Sequence, residues 1–498
     1  MMSQLFRRKS LDAILHEGEV PEHQLRRALG AFDVVMLGIG AIIGAGIFAT
    51  IGTAAAGDAA RPGAGPALIL SFVVTGVACG FAALCYAEFA AMVPISGSAY
   101  TYSYGTLGEL IAWIIGWDLI IEYAVGNVAV AISWTNYFKT LLAGFGLFIP
   151  DWISTDYRTA ARIPGLLEGA PHLFGIPIVC NLVAFGIVAL ITLVLVLGIR
   201  GSARTNTAMV IVKLVVLAFF VIVGATYVKP QNWTPFAPNG WAGIQAGAAI
   251  VFFAYIGFDA VSTVAEEVRN PRRDLPIGII GSLIVCTVIY IVVAAVFTGI
   301  IPYESLVKVL ATQQAEPLTL ALQYANIGRW GNVAIGIVAF GSVVAHTAVL
   351  LVFQLGQPRI FFSMARDGLL PQQFARVHPR FRTPHVTTIL TGLVVGLTAT
   401  FTSIDEMVDL TNIGTLFAFI LVCIGVILMR RREPDRPRGF RTPWVPLVPI
   451  LGIAACLYLA LGLPSITWAR FGIWLVVGMA VYFFYGFSHS HLRRTPLA

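Results

Sequence analysis

Apolar residues in this chain gather into long blocks separated by short polar stretches, without the strict alternation of a surface strand. Twelve blocks can be drawn, at 31–52, 65–92, 109–138, 177–199, 205–228, 241–264, 277–301, 331–357, 385–402, 411–430, 444–463 and 471–488. A helix needs about 20 residues to cross the roughly 30 Å of bilayer hydrocarbon. Ten blocks meet that length, and those at 385–402 and 471–488 fall short by a residue or two. The pattern predicts an all-α membrane protein with twelve transmembrane helices. It excludes an outer-membrane barrel, whose strands would alternate. The stretch IRGSAR at 199–204 serves as the turn between the fourth and fifth blocks.

Charge placement orients these helices. With the N-terminus inside, 23 of the 32 Lys and Arg residues fall in inside segments and 8 in outside segments, while Lys213 lies within a block. That excess predicts that both termini are cytoplasmic. The long outside segments 139–176 and 302–330 have room for short surface helices, and the inside segment 359–384 is basic. The expected organisation is a cytoplasmic segment 1–30, a ten-helix core 31–430, two further helices within 431–488 and a cytoplasmic tail 489–498. Residues 1–30 are too polar for a cleavable signal, so the first block is expected to remain in the mature protein.

Composition narrows the function. Of the 498 residues, 58% are apolar and 11% are charged, against about 25% charged in soluble proteins. Mean hydropathy is +0.83. A soluble enzyme and a nucleic-acid-binding module are excluded, and the net charge of +7 belongs to the membrane-orienting bias. The six cysteines show no metal-ligand spacing, and neither a metal nor a cofactor is expected. No HExxH, GxSxG or facing aspartate pair suggests an intramembrane enzyme.

Two blocks carry candidate chemistry. The first contains GIGAIIGAGIF at 38–48, with four glycines in nine residues, each weakening a helix by roughly 1 kcal/mol relative to alanine. One reading is close helix packing. The other is a helix broken at Gly44 and Gly46, whose second half begins with amides suited to a carboxylate at Gly44, Ala45 and Gly46. The carbonyls of Ile42 and Ile43 would then suit an ammonium group. The sixth block contains FFAYIGFD at 252–259, again a glycine near mid-span beside a charge. Two interrupted segments at corresponding positions in two halves point to an inverted-repeat transporter with its site at mid-membrane.

Ionisable residues inside a membrane are costly and mark function. Glu88, Asp118, Glu122, Lys213, Asp259 and His346 lie within blocks. Lys213 is either an interfacial lysine that reaches outwards or a proton carrier. Glu122 and Asp259 are the acidic candidates for a substrate group, against a structural reading in which each carboxylate is bonded to a helix end. Asp118 lies one turn from Glu122 on the same face. Glu88 reads as structural, and His346 reads as either structure or pocket wall.

The residues LGAFD at 29–33 leading into GIGAIIGAGIF, YAEFAAMVPISGSAYTYSY at 86–104, FFAYIGFDAVSTVAEEVRNPRRDLPIGI at 252–279 and RIFFSMARDGLLP at 359–371 resemble the amino acid–polyamine–organocation transporter superfamily. The likeness is strongest to cationic amino acid transporters and their bacterial relatives. It implies a leucine-transporter-type fold of five plus five inverted helices with two more at the C-terminus. It implies that backbone at Gly44, Ala45 and Gly46 binds the α-carboxylate, and that carbonyls of Ile42, Phe253, Ala254 and Ile256 bind the α-amino group. It places Lys213 where relatives hold a fifth-helix lysine in place of sodium, and Glu122 at a third-helix glutamate. Ala45 departs from the Thr or Ser of many relatives, and His346 lies in an eighth-helix region that shapes the pocket.

The expectation is a secondary active transporter of a bacterial inner membrane, coupling protons to uptake of neutral or cationic L-amino acids. An exchanger and a non-transporting amino acid sensor are the alternatives. Its partners would be the amino acid, protons and the lipid bilayer, with room for a small single-pass membrane partner and no role for nucleic acid.

Overall fold

The computed structural model describes residues 5, 7–11, 27–95, 98–198, 203–312, 316–381 and 383–494. Most of the N-terminal segment, residues 199–202 of the expected IRGSAR turn and the tail from 495 lie outside the described residues. Among the described residues the regular structure is helical, apart from a hairpin pairing His172–Leu173 with Ile176–Pro177 and isolated bridges at Leu29–Val268 and Gly57–Pro62.

Among the described residues, nine helices are long and apolar enough to cross a membrane, and three more, Leu182–Val196, His385–Phe401 and Leu447–Leu461, are apolar but shorter. Every apolar block of the sequence holds one of them. Two blocks of ample length shrink on folding. In the fourth, the chain is extended through Pro177, and helix starts only where the Asn181 side chain accepts from the amide of Ala184 at 2.9 Å. It ends before Gly198, which sits at φ +72°. In the eleventh, helix starts after Pro446 and stops at Gly462. The twelfth block goes the other way, forming continuous helix over Ser465–His489. Segments 139–176 and 302–330 hold short helices at Tyr157–Ala160, Leu166–Gly169, Tyr303–Thr312 and Pro317–Ala325.

Burial separates the helices into two groups. The first and sixth blocks are almost wholly enclosed, whereas Leu190, Val215, Ile222, Ile284, Phe340 and Val476 point apolar side chains outwards. A belt of exposed apolar residues on the outer helices is the surface a bilayer would cover. The enclosed helices need not be apolar all round, because protein rather than lipid surrounds them.

We label the helices that build the central site α1 (Ala31–Ile42), α2 (Ile51–Ala56), α3 (Gly126–Ala143), α4 (Ala203–Ala225), α5 (Gly240–Val251), α6 (Pro271–Ile300), α7 (Pro317–Ala325), α8 (Gly331–Arg366) and α9 (Ile404–Arg432). α6 packs along α1, α4 packs against both α1 and α8, and α8 runs along α3. At the N-terminal face, Glu88 binds Arg430 at 2.8 Å and Arg438 at 3.1 Å and accepts from the Thr442 amide at 2.8 Å. That cluster is structural, as read from the sequence. On the same face Asp367 takes Lys9 at 2.8 Å and the Tyr100 hydroxyl at 2.7 Å.

Candidate functional site

Both glycine-interrupted blocks are broken helices. α1 stops at Ile43, whose ψ of 106° is extended, and the chain resumes as a wide π turn over Gly46–Thr50 leading into α2. α5 tightens into a 3-10 turn over Phe252–Tyr255, opens at Ile256 and resumes as a 3-10 helix over Asp259–Glu267.

The breaks press against each other. A Cβ on Gly46 would lie 2.1 Å from the Cα of Ala254, a backbone atom that cannot swing away. Gly257 has φ +120°, and a Cβ there would meet the Ala41 carbonyl at 2.8 Å. Glycine is therefore required at both positions, one for close approach and one for conformation. Gly44 is less constrained, since its Cβ would meet the Val349 side chain at 2.7 Å.

A break exposes two helix ends of opposite polarity, carbonyls on one side and amides on the other. A charged side chain lies at one end of each. Below the first break, the Lys213 ammonium donates to the Gly40 carbonyl at 2.8 Å and to the Ile43 carbonyl at 2.9 Å. Lys213 is fully buried on α4 and does not reach an interface. Beyond the second break, Asp259 lies beside the amides of residues 257, 259 and 260, at the start of the resumed helix. The ends that remain are the amide end at residues 44–46 and the carbonyl end at Phe253–Ile256. They lie side by side, because Gly46 touches Ala254.

A family model described as amino acid permease matches residues 29–485. The chain belongs to this amino acid permease family. It is 47% identical over 494 residues to the branched-chain amino acid permease BcaP of Bacillus subtilis, covering 99% of this chain and all of that protein. It is 46% identical over 493 residues to the methylthioribose transporter of the same organism, with 99% and 100% covered. It is 31% identical over 614 aligned positions to the vacuolar cationic amino acid transporter 4 of Arabidopsis thaliana, with 99% and 97% covered. The protein is thus a transporter rather than an enzyme.

Other candidate residues of this permease fall into two groups. Glu122 sits on a π turn over Ile121–Val125, and its carboxyl lies against that of Asp259. Glu122 Oε2, Asp259 Oδ1 and both Asp118 carboxyl oxygens are buried without a hydrogen-bond partner. These three acids form a polar strip leading from the breaks towards the N-terminal face. His346 is fully satisfied. Its Nδ1 is 2.7 Å from the Ser342 carbonyl and its Nε2 is 2.7 Å from the Ser133 hydroxyl. A carbonyl only accepts, so Nδ1 carries the proton. The ring packs against Phe48 and Tyr137, with centroids 5.8 and 5.6 Å away. His346 thereby braces the π turn that follows the first break.

Tyr290 was invisible in the sequence reading. Its hydroxyl, from α6, lies 3.1 Å from the Ile42 carbonyl and 2.9 Å from that of Ala254. It bridges the two breaks and occupies two of the carbonyls expected to meet an amino group, while Lys213 occupies the one at Ile43. Each carbonyl keeps a second lone pair, and Phe253 and Ile256 complete the carbonyl set.

Proposed function

We propose that this permease is a proton-coupled symporter of neutral L-amino acids, branched-chain ones first, working by alternating access across a bacterial cell membrane with both termini cytoplasmic. The observation that carries the reading is the pair of helix ends left over at the two breaks. One is an amide end and the other a carbonyl end, side by side, and a zwitterionic α-carbon bears the complementary groups. The α-carboxylate meets residues 44–46, and the α-ammonium meets the carbonyls of Phe253, Ala254 and Ile256, with Ile42 at the edge. Phe253 and Val349 supply apolar wall, and His346 shapes it through Phe48. The name of the Bacillus branched-chain permease supports an apolar side chain. The fold that performs this is a five-plus-five inverted repeat over 31–430, with two added helices over 431–488.

Lys213 supplies the coupling. Its ammonium holds two carbonyls of α1, so its protonated form stabilises one setting of the first break. Loss of that proton releases the carbonyls and lets α1 tilt. No carboxylate approaches Lys213 among the described residues, so the charge depends on α1 itself.

A cationic substrate is the second reading, favoured by the buried acids Glu122 and Asp259. Uptake into sodium-free proteoliposomes under an inward proton gradient tests both, comparing labelled leucine with labelled arginine. Leucine accumulation supports the first reading. Preferential arginine accumulation supports the second, and exchange only from preloaded vesicles replaces symport with an exchanger.

A further inference from the structure

A cavity of about 540 Å³ opens on the face opposite the N-terminus, a volume in the range of small-molecule sites. It lies between the end of α2, the start of α7 and the start of α9. Its charged lining includes Arg61, Asp58, Asp409, Asp405 and Glu316. Arg61 uses up two of the acids, binding Asp58 at 2.6 Å and Asp409 at 2.7 Å. Asp405 faces Arg162 at 3.9 Å. Glu316 differs. It occupies the cap position of α7 yet makes no side-chain cap. It is only 7% exposed, and its Oε2 has no hydrogen-bond partner.

We propose that this vestibule holds a second, outer binding site for an ammonium group, with the Glu316 carboxylate as its acceptor. The occupant is the ammonium of an arriving amino acid, held before it descends to the helix breaks. The proposal rests on the transporter reading for its direction and on the cavity for its chemistry. A buried acceptor without a donor is costly, and an ammonium supplies the missing donor. The surrounding groups support this. Asn136 and Tyr137 lie beside Glu316, and Lys139 opposes burial only from a distance, because its ammonium is bound to Asp151 at 2.6 Å. Burial pushes the Glu316 carboxyl up to about 8, so it holds a proton at pH 7 when no cation is beside it, and an arriving ammonium favours the charged form that accepts from it. The site also connects inwards. The Tyr137 hydroxyl donates to the Phe48 carbonyl at 2.7 Å, and Phe48 lies on the π turn of the first break.

The probe is labelled isopentylamine, which is leucine without its carboxylate. Its binding to the full-length purified protein in detergent at pH 9, where the carboxyl is ionised and the amine still charged, is compared across wild type, Glu316→Gln and Glu316→Asp. Glu316→Gln should weaken binding about tenfold, the scale of one charge-assisted hydrogen bond, and Glu316→Asp should retain more than Glu316→Gln. Equal binding by wild type and Glu316→Gln would overturn the site, as would a wild type that binds no amine. If Glu316→Gln does not give monodisperse protein, Glu316→Asp decides. Weakened binding then supports the site and wild-type binding overturns it. Binding is read without transport, so failure of this site and failure of proton-driven uptake are separate results. Competition by arginine and by leucine then tells a side-chain cation from an α-ammonium.

Discussion

The two helix breaks solve the same problem with opposite charges. The first exposes a carbonyl end and receives Lys213, with contacts at 2.8 and 2.9 Å. The second exposes an amide end and receives Asp259. Each side chain neutralises one pole. The poles without a charged partner are an amide end from one break and a carbonyl end from the other, where the Tyr290 hydroxyl meets Ala254, brought together where Gly46 meets Ala254. The proposed zwitterion site would thus arise from two helix ends that no charged side chain meets. The two side chains differ in what they span. Asp259 lies at the start of its own resumed segment, with the Tyr123 hydroxyl 3.5 Å from its Oδ2, whereas Lys213 reaches from α4 to α1. The proposed coupling is therefore assigned to the first break, where one helix depends on a side chain of another.

The largest effect should come from filling the contact between the breaks. Gly46→Ala puts a methyl group 2.1 Å from a backbone atom and should abolish uptake. Gly44→Ala meets only a side chain at 2.7 Å, so it should retain partial uptake that Val349→Ala improves. Measuring both by yield of monodisperse protein and initial uptake rate would break the comparison if the two variants behaved alike. Next, Tyr290→Phe removes the hydroxyl shared by the two breaks and should raise the KM for leucine about fivefold, the scale of one hydrogen bond of about 1 kcal/mol. An unchanged KM would separate the bridge from the site. Asp259→Asn keeps the shape of the second break and loses its charge. Asn and Asp serve helix starts about equally, so the melting temperature should stay near that of wild type, with proton dependence retained. Loss of proton dependence in that variant would move coupling to the second break. The smallest effect belongs to His346→Gln, which alters the packing under Phe48. Competition among leucine, valine and arginine should shift while turnover of the best substrate holds. An identical competition profile would leave His346 as structure alone.

The breaks were legible because glycine clusters within apolar blocks are a local signal, and Lys213 was legible because one charge stands out in a greasy helix. Tyr290 was not, since a tyrosine in an apolar stretch gives little contrast and its reach to Ile42 and Ala254 depends on how α6 lies against α1. The same limit hid the vestibule. Arg61 meets Asp409 across 348 positions of sequence, and Glu316 reads as an ordinary loop acid until the fold buries it. Helix lengths in the fourth and eleventh blocks were overread because apolar loop residues next to Pro177 and Pro446 look like helix until capping is known.

The central claim is that Lys213 at the first break couples protons to amino acid uptake. The most direct measurement is uptake of labelled leucine into sodium-free proteoliposomes, with and without an inward proton gradient, by wild type and Lys213→Met. The account predicts gradient-driven accumulation by wild type, and no response to the gradient in Lys213→Met even where leucine still binds. Equal gradient-driven accumulation by the two proteins would contradict it.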